Sequence, residues 1–276
     1  MSVANPRRNP GARRVWTISD SRKIVERMRV WHIEWESGGF LLRAAFRTLL
    51  IPFDPSVSLC PRLLPVYMHI TLIGDSTLDN AAYTAGGPHV TAILNDLLGP
   101  DGSASLAAVD GARMRDVGYQ VDTVKDEATH AVLSVGGNDA LLSVNALTQS
   151  VDTIADALLE LEDIVDDFAG SYRRCLKQVL NLGLPTTVCT IYPGDFSEEG
   201  QQRVISAALT MWNHAITQAA LDHGCPIIEL GRVCDETSDY VRQIEPNEKG
   251  GRKIATAIHS AITEPDTCSV PLSPRG

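Results

Sequence analysis

The chain has 276 residues, 44% of them hydrophobic, and a formal net charge of −10 at pH 7. This length is enough for one α/β domain with a well-buried core. The negative charge argues against a nucleic-acid partner, because binding phosphates requires a basic face on the protein. The sequence contains no run of about 20 apolar residues, so it predicts no membrane span.

The charge is unevenly distributed along the chain. Residues 1–67 carry 11 Lys and Arg against 5 Asp and Glu, whereas residues 68–276 carry 13 and 29. We interpret residues 1–67 as a basic N-terminal extension whose role the sequence leaves open, and Met68 as a candidate first residue of the functional protein. Residues 68–262 form the predicted domain. Residues 263–276, which contain three prolines, form a predicted flexible tail.

From Met68 onward, short β-rich runs alternate with longer helical stretches, which is typical of βαβ units and a parallel sheet. The predicted strands are His69–Ile73, Ser105–Val109, His130–Val135, Pro185–Tyr192 and Pro226–Glu229. The predicted helices are Pro88–Leu98, Val151–Leu182 with an interruption near Gly170, Glu198–His223 and Glu248–Ile262. The predicted fold is therefore a three-layer α/β/α sandwich around a five-stranded parallel sheet, whose ligands bind beyond the carboxyl ends of the strands.

The longest predicted helix is amphipathic. Its apolar residues recur every three or four positions, which predicts one buried face: Ile154, Leu158, Leu161, Val165 and Phe168. The opposite face is acidic and is typical of a solvated surface, so we assign it no metal.

The first chemical motif is Gly74-Asp75-Ser76, directly after the first predicted strand. Gly74 permits a tight turn, and Ser76 can then present its hydroxyl and backbone N–H to a substrate. The triplet alone is also typical of an ordinary turn. It needs support from other strand ends.

Two further motifs follow neighbouring strands. Gly136-Gly137-Asn138-Asp139 lets the backbone approach a ligand, and the Asn138 amide can donate to an oxyanion. Gly111, in Val109-Asp110-Gly111-Ala112, can direct a backbone N–H to the same point. Three strand ends thus supply a hydroxyl nucleophile, a backbone donor and an amide donor.

These segments resemble three sequence blocks of the SGNH (GDSL-like) hydrolases, over roughly residues 68–262. The resemblance implies a flavodoxin-like sandwich with Ser76 as nucleophile. The Ser76 N–H, the Gly111 N–H and the Asn138 amide would form the oxyanion hole.

The last block departs from the family pattern of Asp-x-x-His followed by Pro and a helix. Glu245, before Pro246, occupies the histidine position, and Arg242 occupies the aspartate position. Three interpretations remain open. Glu245 is the base, a histidine from elsewhere (His89 being the most suitable) is the base, or the scaffold has lost acyl transfer and binds a ligand. Asp239 is a candidate to orient the base, although a solvated loop acid explains it as well.

The sequence therefore predicts a serine ester hydrolase that forms an acyl-enzyme on Ser76 from a small acyl ester. The alternatives are a ligand-binding protein and an acyltransferase. Candidate supporting residues are Asp75, Asp139, Asp239 and His89. We expect no metal or cofactor, a small-molecule ester as partner, and specificity set by loops 77–88 and 192–200. Six cysteines without paired short spacing favour a reducing, cytoplasmic location, and oligomeric state is not indicated.

Overall fold

The computed structural model describes residues 67–264. The described residues therefore include only the last residue of the predicted extension and very little of the predicted tail. His32, Cys60 and Cys268 also lie outside the described residues. Among the described residues, no helix is both long and apolar enough to span a bilayer.

Five parallel strands form the central sheet in the order β2-β1-β3-β4-β5. Their bounds are β1 Met68–Gly74, β2 Gly102–Leu106, β3 His130–Ser134, β4 Thr186–Cys189 and β5 Ile227–Ile228. A small antiparallel hairpin, β6 Tyr240–Val241 with β7 Glu245–Pro246, lies outside this sheet. The predicted α/β sandwich and its five-stranded parallel sheet are confirmed.

Seven α-helices connect and cover the strands within the described residues. They are α1 Val90–Leu98, α2 Val117–Val121, α3 Gly137–Leu141, α4 Ile154–Leu180, α5 Glu199–Asp222, α6 Leu230–Val233 and α7 Glu248–Thr263. Successive strand residues point to opposite faces of the sheet. Thus Ile73 and Leu133 pack with α4 and α5 in one buried cluster, whereas Leu72 and Val132 pack with α1 and α7 in the other. The sheet and the helices packed on each of its faces are therefore the three layers of the sandwich.

The second strand begins and ends three residues earlier than predicted. Beyond Leu106, the backbone N–H groups of Ala107 and Ala108 both donate to the Leu72 carbonyl, each at 2.8 Å. Two residues opposite one form a bulge, which ends regular pairing and bends the chain. The bend carries the next segment across the end of β1, where the candidate oxyanion donor Gly111 lies.

Helix α4 corrects the prediction in two ways. The helix runs without a break through Gly170, because a helix interior tolerates a single glycine at a cost of about 1 kcal/mol. Ile154 and Leu158 are 81% and 56% exposed rather than buried. Phe168 is the first buried residue of α4, so the first turns of the helix lie outside the core of the described residues.

Candidate active site

The turn after β1 is fixed by backbone contacts on both sides. Gly74 has φ +145°, a region open to glycine and strained for other residues. The Gly74 N–H donates to Gln120 Oε1, and Gln120 Nε2 donates to the Gly74 carbonyl, both at 2.8 Å. The Asp75 N–H donates to the Ser134 carbonyl of β3 at 3.1 Å. These contacts fix Ser76, which is 8% exposed, at the carboxyl edge of the sheet.

Replacing Gly74 with alanine is expected to lower the free energy of unfolding by at least about 2 kcal/mol. A Cβ atom at this position would lie 1.8 Å from the Ser134 carbonyl oxygen. Urea denaturation measures the effect. Gly200→Ala is the matched control, since a Cβ at Gly200 meets nothing within 4 Å. Equal stability of Gly74→Ala and the wild type would contradict this description of the turn.

The two predicted oxyanion donors lie on adjacent segments that are joined to each other, Gly111 in a loop and Asn138 in the first turn of α3. Asn138 Nδ2 donates to the Ala112 carbonyl at 2.9 Å, which uses one of its two N–H groups and leaves the other for a ligand. Asp139 Oδ2 accepts from the Met114 N–H at 3.0 Å. The first turn of α3 is thereby attached to the loop that carries Gly111, which has φ +76°. Asp139 thus has a supporting position, and burial raises the pKa of its carboxyl group.

Glu245 lies on the β6–β7 hairpin, whose loop has left-handed backbone at Arg242 and Gln243, with φ of 50° and 73°. Such conformations cost of order 1 kcal/mol or more in residues other than glycine. Three contacts hold the hairpin in place. The Tyr192 hydroxyl donates to the Ile244 carbonyl at 2.7 Å, the Asp195 N–H donates to the Gln243 carbonyl at 2.7 Å, and Asn80 Nδ2 donates to the Pro246 carbonyl at 3.1 Å.

The Glu245 and Ser76 side chains interact. Burial raises the pKa of Glu245, whereas the interaction with the Ser76 side chain lowers it. The charge of Asp110 raises this pKa further, and that of Arg242 lowers it. Glu245 Oε2 is buried without a hydrogen-bond partner among the described residues. A half-buried carboxylate beside a serine hydroxyl is a geometry in which the carboxylate can accept the serine proton.

Asp75 is 4% exposed and lies beneath the same site. Its Oδ1 accepts from the Thr77 N–H at 3.0 Å, which closes the turn around Ser76. Burial raises the pKa of Asp75 to about 7, against the lowering effect of the Thr77 hydrogen bonds, and the charge of Glu245 contributes to the rise.

Asp75→Asn is expected to stabilise the protein at alkaline pH relative to the wild type. The folded state raises the pKa of this acid from 3.8 to about 7, so protonated Asp75 contributes stability that is complete below about pH 4 and is lost as the pH rises through 7. An asparagine side chain keeps a hydrogen-bond acceptor, but it has no carboxyl group whose ionisation would destabilise the folded state. Between pH 5 and pH 8, the free energy of unfolding of the variant should rise by about 2–3 kcal/mol relative to that of the wild type. Urea denaturation measures this change. The exposed Asp126→Asn serves as control, and a difference that does not change with pH would refute the assignment.

The other two supporting candidates make no hydrogen bond to Ser76 within the described residues. Asp239 is fully buried, so the interpretation as a solvated loop acid is wrong. Its Oδ2 contacts Lys253 Nζ at 2.8 Å and accepts from the Glu236 N–H at 3.1 Å, while the Asp239 carbonyl accepts from the Asn247 N–H at 3.0 Å. Asp239 therefore stabilises the connection between the hairpin and α7.

His89 is the N-cap residue of α1, and its Nδ1 is buried without a partner among the described residues. None of the six histidines within residues 67–264 makes a hydrogen bond to Ser76. His69 contacts Ser103 and Ser105 at 2.6 and 2.9 Å, at the edge of the sheet opposite Ser76. Glu245 is instead the titratable side chain whose pKa the Ser76 side chain affects.

Two polar residues that were not predicted from the sequence connect the parts of the site. Gln120 holds Gly74 through two hydrogen bonds. Asn80 is fully buried and accepts from the Val90 N–H at 2.9 Å while donating to Pro246. It therefore ties the serine loop to the Glu245 hairpin. Its position four residues after Ser76 could have drawn attention to it, whereas nothing around Gln120 in the sequence marks that residue.

A polar rim lies on the Glu245 side of the site. The Tyr83 hydroxyl donates to Asp110 Oδ2 at 2.8 Å, and the Asp110 N–H donates to Asp79 Oδ2 at 3.0 Å. The guanidinium carbon of Arg242 lies 5.6 Å from the Tyr83 ring centroid. Burial and the bond to Asp110 raise the pKa of Tyr83 to about 12.

An apolar pocket adjoins Ser76. It is partly open to solvent and has a cavity volume of about 100 Å³. Ser76 and Asn138 lie at its polar end, and further walls come from α3, from the segment 143–147, from Ile191 after β4 and from α5. Pro193 and Phe196, in the loop 192–200 expected to set specificity, also line it. No group of three or more His, Cys, Asp or Glu side chains among the described residues is arranged to hold a metal ion.

Comparison with solved structures shows the same fold in several hydrolases. A phospholipase A1 from Streptomyces albidoflavus has a TM-score of 0.53 and 18% identity, over 70% of this chain and 99% of that one. A psychrotrophic esterase from Pseudoalteromonas sp. has a TM-score of 0.51 and 16% identity, over 71% and 97%. A lipase/acylhydrolase from Enterococcus faecalis has a TM-score of 0.52 and 15% identity, over 76% and 99%.

No curated protein is similar enough in sequence to match the chain. The model of the GDSL-like lipase/acylhydrolase family matches residues 72–253. This range begins in β1, contains Ser76, Gly111, Asn138 and Glu245, and ends in α7. The chain therefore belongs to the GDSL-like lipase/acylhydrolase family.

Proposed function

We propose that the protein is a carboxylic ester hydrolase in which Ser76 forms an acyl-enzyme and Glu245 is the general base. The observation that carries this proposal is that the Glu245 carboxyl group is half-buried and interacts with the Ser76 side chain, which acts on its pKa. The loops of Gly111 and Asn138, joined through the Ala112 carbonyl, are the proposed source of the oxyanion donors.

In the first half of the proposed reaction, Ser76 Oγ attacks the ester carbonyl carbon and its proton passes to Glu245. The negative charge on the carbonyl oxygen is stabilised by the Ser76 and Gly111 N–H groups and the free N–H of Asn138. The tetrahedral intermediate then breaks its bond to the alcohol oxygen, which takes the proton from Glu245. The products are the free alcohol and an ester between Ser76 and the acyl group.

In the second half, Glu245 accepts a proton from a water molecule that attacks the acyl-enzyme. The same oxyanion donors act again, and the bond to Ser76 Oγ breaks as the oxygen regains a proton from Glu245. The carboxylic acid leaves and the enzyme returns to its starting state.

The carboxylate is a weaker base than the histidine it replaces. Ordinary pKa values of about 4.3 for Glu and about 6.5 for His correspond to a difference of about 3 kcal/mol. Burial raises the pKa of Glu245 and so recovers part of this difference.

Hydrolysis of p-nitrophenyl acetate, followed by rapid mixing, tests the function. Formation of an acyl-enzyme predicts release of p-nitrophenol in proportion to protein, with a burst wherever deacylation is slower than acylation. An acyltransferase would raise the rate when an acceptor alcohol is added. Absence of turnover across a panel of short aryl esters would favour the ligand-binding alternative instead.

The cytoplasmic location remains a prediction from the cysteines. The four within the described residues, Cys175, Cys189, Cys225 and Cys234, are buried free thiols.

A further inference from the structure

The site has two chemically different sides that meet at Ser76. On one side are Glu245 and the polar rim of Tyr83, Asp110 and Arg242. Beside them is the apolar pocket, whose lining includes Ser76, Asn138 and Ile244, the neighbour of Glu245, but neither Glu245 nor Gly111 itself. A bound ester must place its acyl group on one side and its alcohol on the other.

The proposed chemistry decides which side takes which part. The group that accepts the serine proton later gives it to the departing alcohol oxygen, so that oxygen must lie beside Glu245. The alcohol therefore leaves past the polar rim. The acyl group is directed away from Glu245, into the apolar pocket.

The pocket walls define what kind of acyl group fits. Val144, Leu147, Ala208 and Leu209 present aliphatic surface, and Trp212 is held by an edge contact with Phe168 at 6.5 Å between ring centroids. No Lys, Arg or His side chain is among the lining residues. A charged group at the far end of the acyl chain would therefore lose its hydration without gaining a partner.

We propose that this pocket binds an uncharged aliphatic acyl chain that is longer than acetyl. The inference rests on the hydrolase function proposed above and extends the small acyl group predicted from the sequence. Ser76 and Asn138 hold the reacting carbonyl at the pocket's polar end, and the methylene groups pack between α3, the segment 143–147 and α5.

A series of p-nitrophenyl esters tests the proposal in the wild-type protein: acetate, propanoate, butanoate, pentanoate and hexanoate. Each buried methylene should raise kcat/KM about fourfold until the pocket is full. The hemisuccinate ester, which replaces the butanoate methyl with a carboxylate, should react at least about tenfold more slowly than butanoate.

A pair of variants on α5 locates the effect. Ala208 lines the pocket, whereas Ala207 is its exposed neighbour. Ala208→Phe should lower the ratio of hexanoate to acetate activity at least about tenfold, and Ala207→Phe should leave it unchanged.

The outcomes separate the two proposals. Ser76-dependent turnover with acetate equal to or better than the longer esters would overturn the acyl-pocket inference and leave the hydrolase function standing. A chain-length preference that both phenylalanine variants retain would also overturn it. No Ser76-dependent turnover of any ester would overturn the hydrolase function and, with it, the inference. The wild-type ester series distinguishes these outcomes even if Ala208→Phe does not fold.

Discussion

Ser76→Ala is expected to lower kcat for ester hydrolysis by a factor on the order of 10³ or more. Alanine removes the Oγ atom that forms the acyl-enzyme, whereas the backbone N–H and the turn held by Gln120 and Ser134 remain. Steady-state turnover of p-nitrophenyl acetate measures the loss. The melting temperature should stay close to that of the wild type.

Ser150→Ala is the matched control for this experiment, because Ser150 is exposed and does not line the pocket. Its kcat should be within a few-fold of the wild type. If Ser76→Ala kept most of the activity while remaining folded, Ser76 would not be the nucleophile.

Glu245→Gln is expected to lower kcat by a factor on the order of 10²–10⁴, the usual contribution of a general base. Glutamine has nearly the same size and can still contact the Ser76 hydroxyl, but it cannot take a proton. A loss in kcat without a comparable rise in KM would separate this effect from a defect in substrate binding.

The pH profile tests the same assignment. The base works when ionised, so wild-type kcat/KM should fall as the pH drops through the pKa of Glu245. Burial raises this pKa, which places the acidic limb above the ordinary value of about 4.3. Glu245→Gln should lose this limb, whereas Glu248→Gln, which changes an acid in the first turn of α7, should keep it. Wild-type activity in Glu245→Gln would instead direct the search to a histidine such as His89.

Much of the fold could be predicted because local patterns and global topology agree. The strand before Ser76 is rich in large apolar residues, Ile70, Leu72 and Ile73, on both faces, as expected of a strand buried on both faces. Parallel strands end at one edge, which is why the loops of Ser76, Gly111 and Asn138 could be expected to converge. The bulge at Ala107 could not be predicted, since it depends on pairing with Leu72 rather than on its own residues.

Burial along α4 could not be read from its periodicity. Ile154 and Leu158 continue the apolar stripe of Leu161 and Phe168, yet they are exposed. Periodicity shows which residues share a face of a helix, but it does not show how far the neighbouring elements extend.

The residues that hold the site together were the least predictable part. Gln120 and Asn80 act through backbone groups far away in the chain, at Gly74 and Pro246, and such contacts have no fixed sequence spacing. Glu245 could be located only by its position before Pro246 and a helix. Its contact with Ser76 and its raised pKa depend on the folded hairpin.

Covalent trapping with a fluorophosphonate ester, read by peptide mass spectrometry, tests most directly whether Ser76 is a nucleophile activated by Glu245. We predict one adduct per chain, on the peptide that contains Ser76. Its rate of formation should rise with pH through the pKa of Glu245 and fall steeply in Glu245→Gln. An adduct on another residue, or none on Ser76 in a protein that hydrolyses esters, would contradict the proposed mechanism.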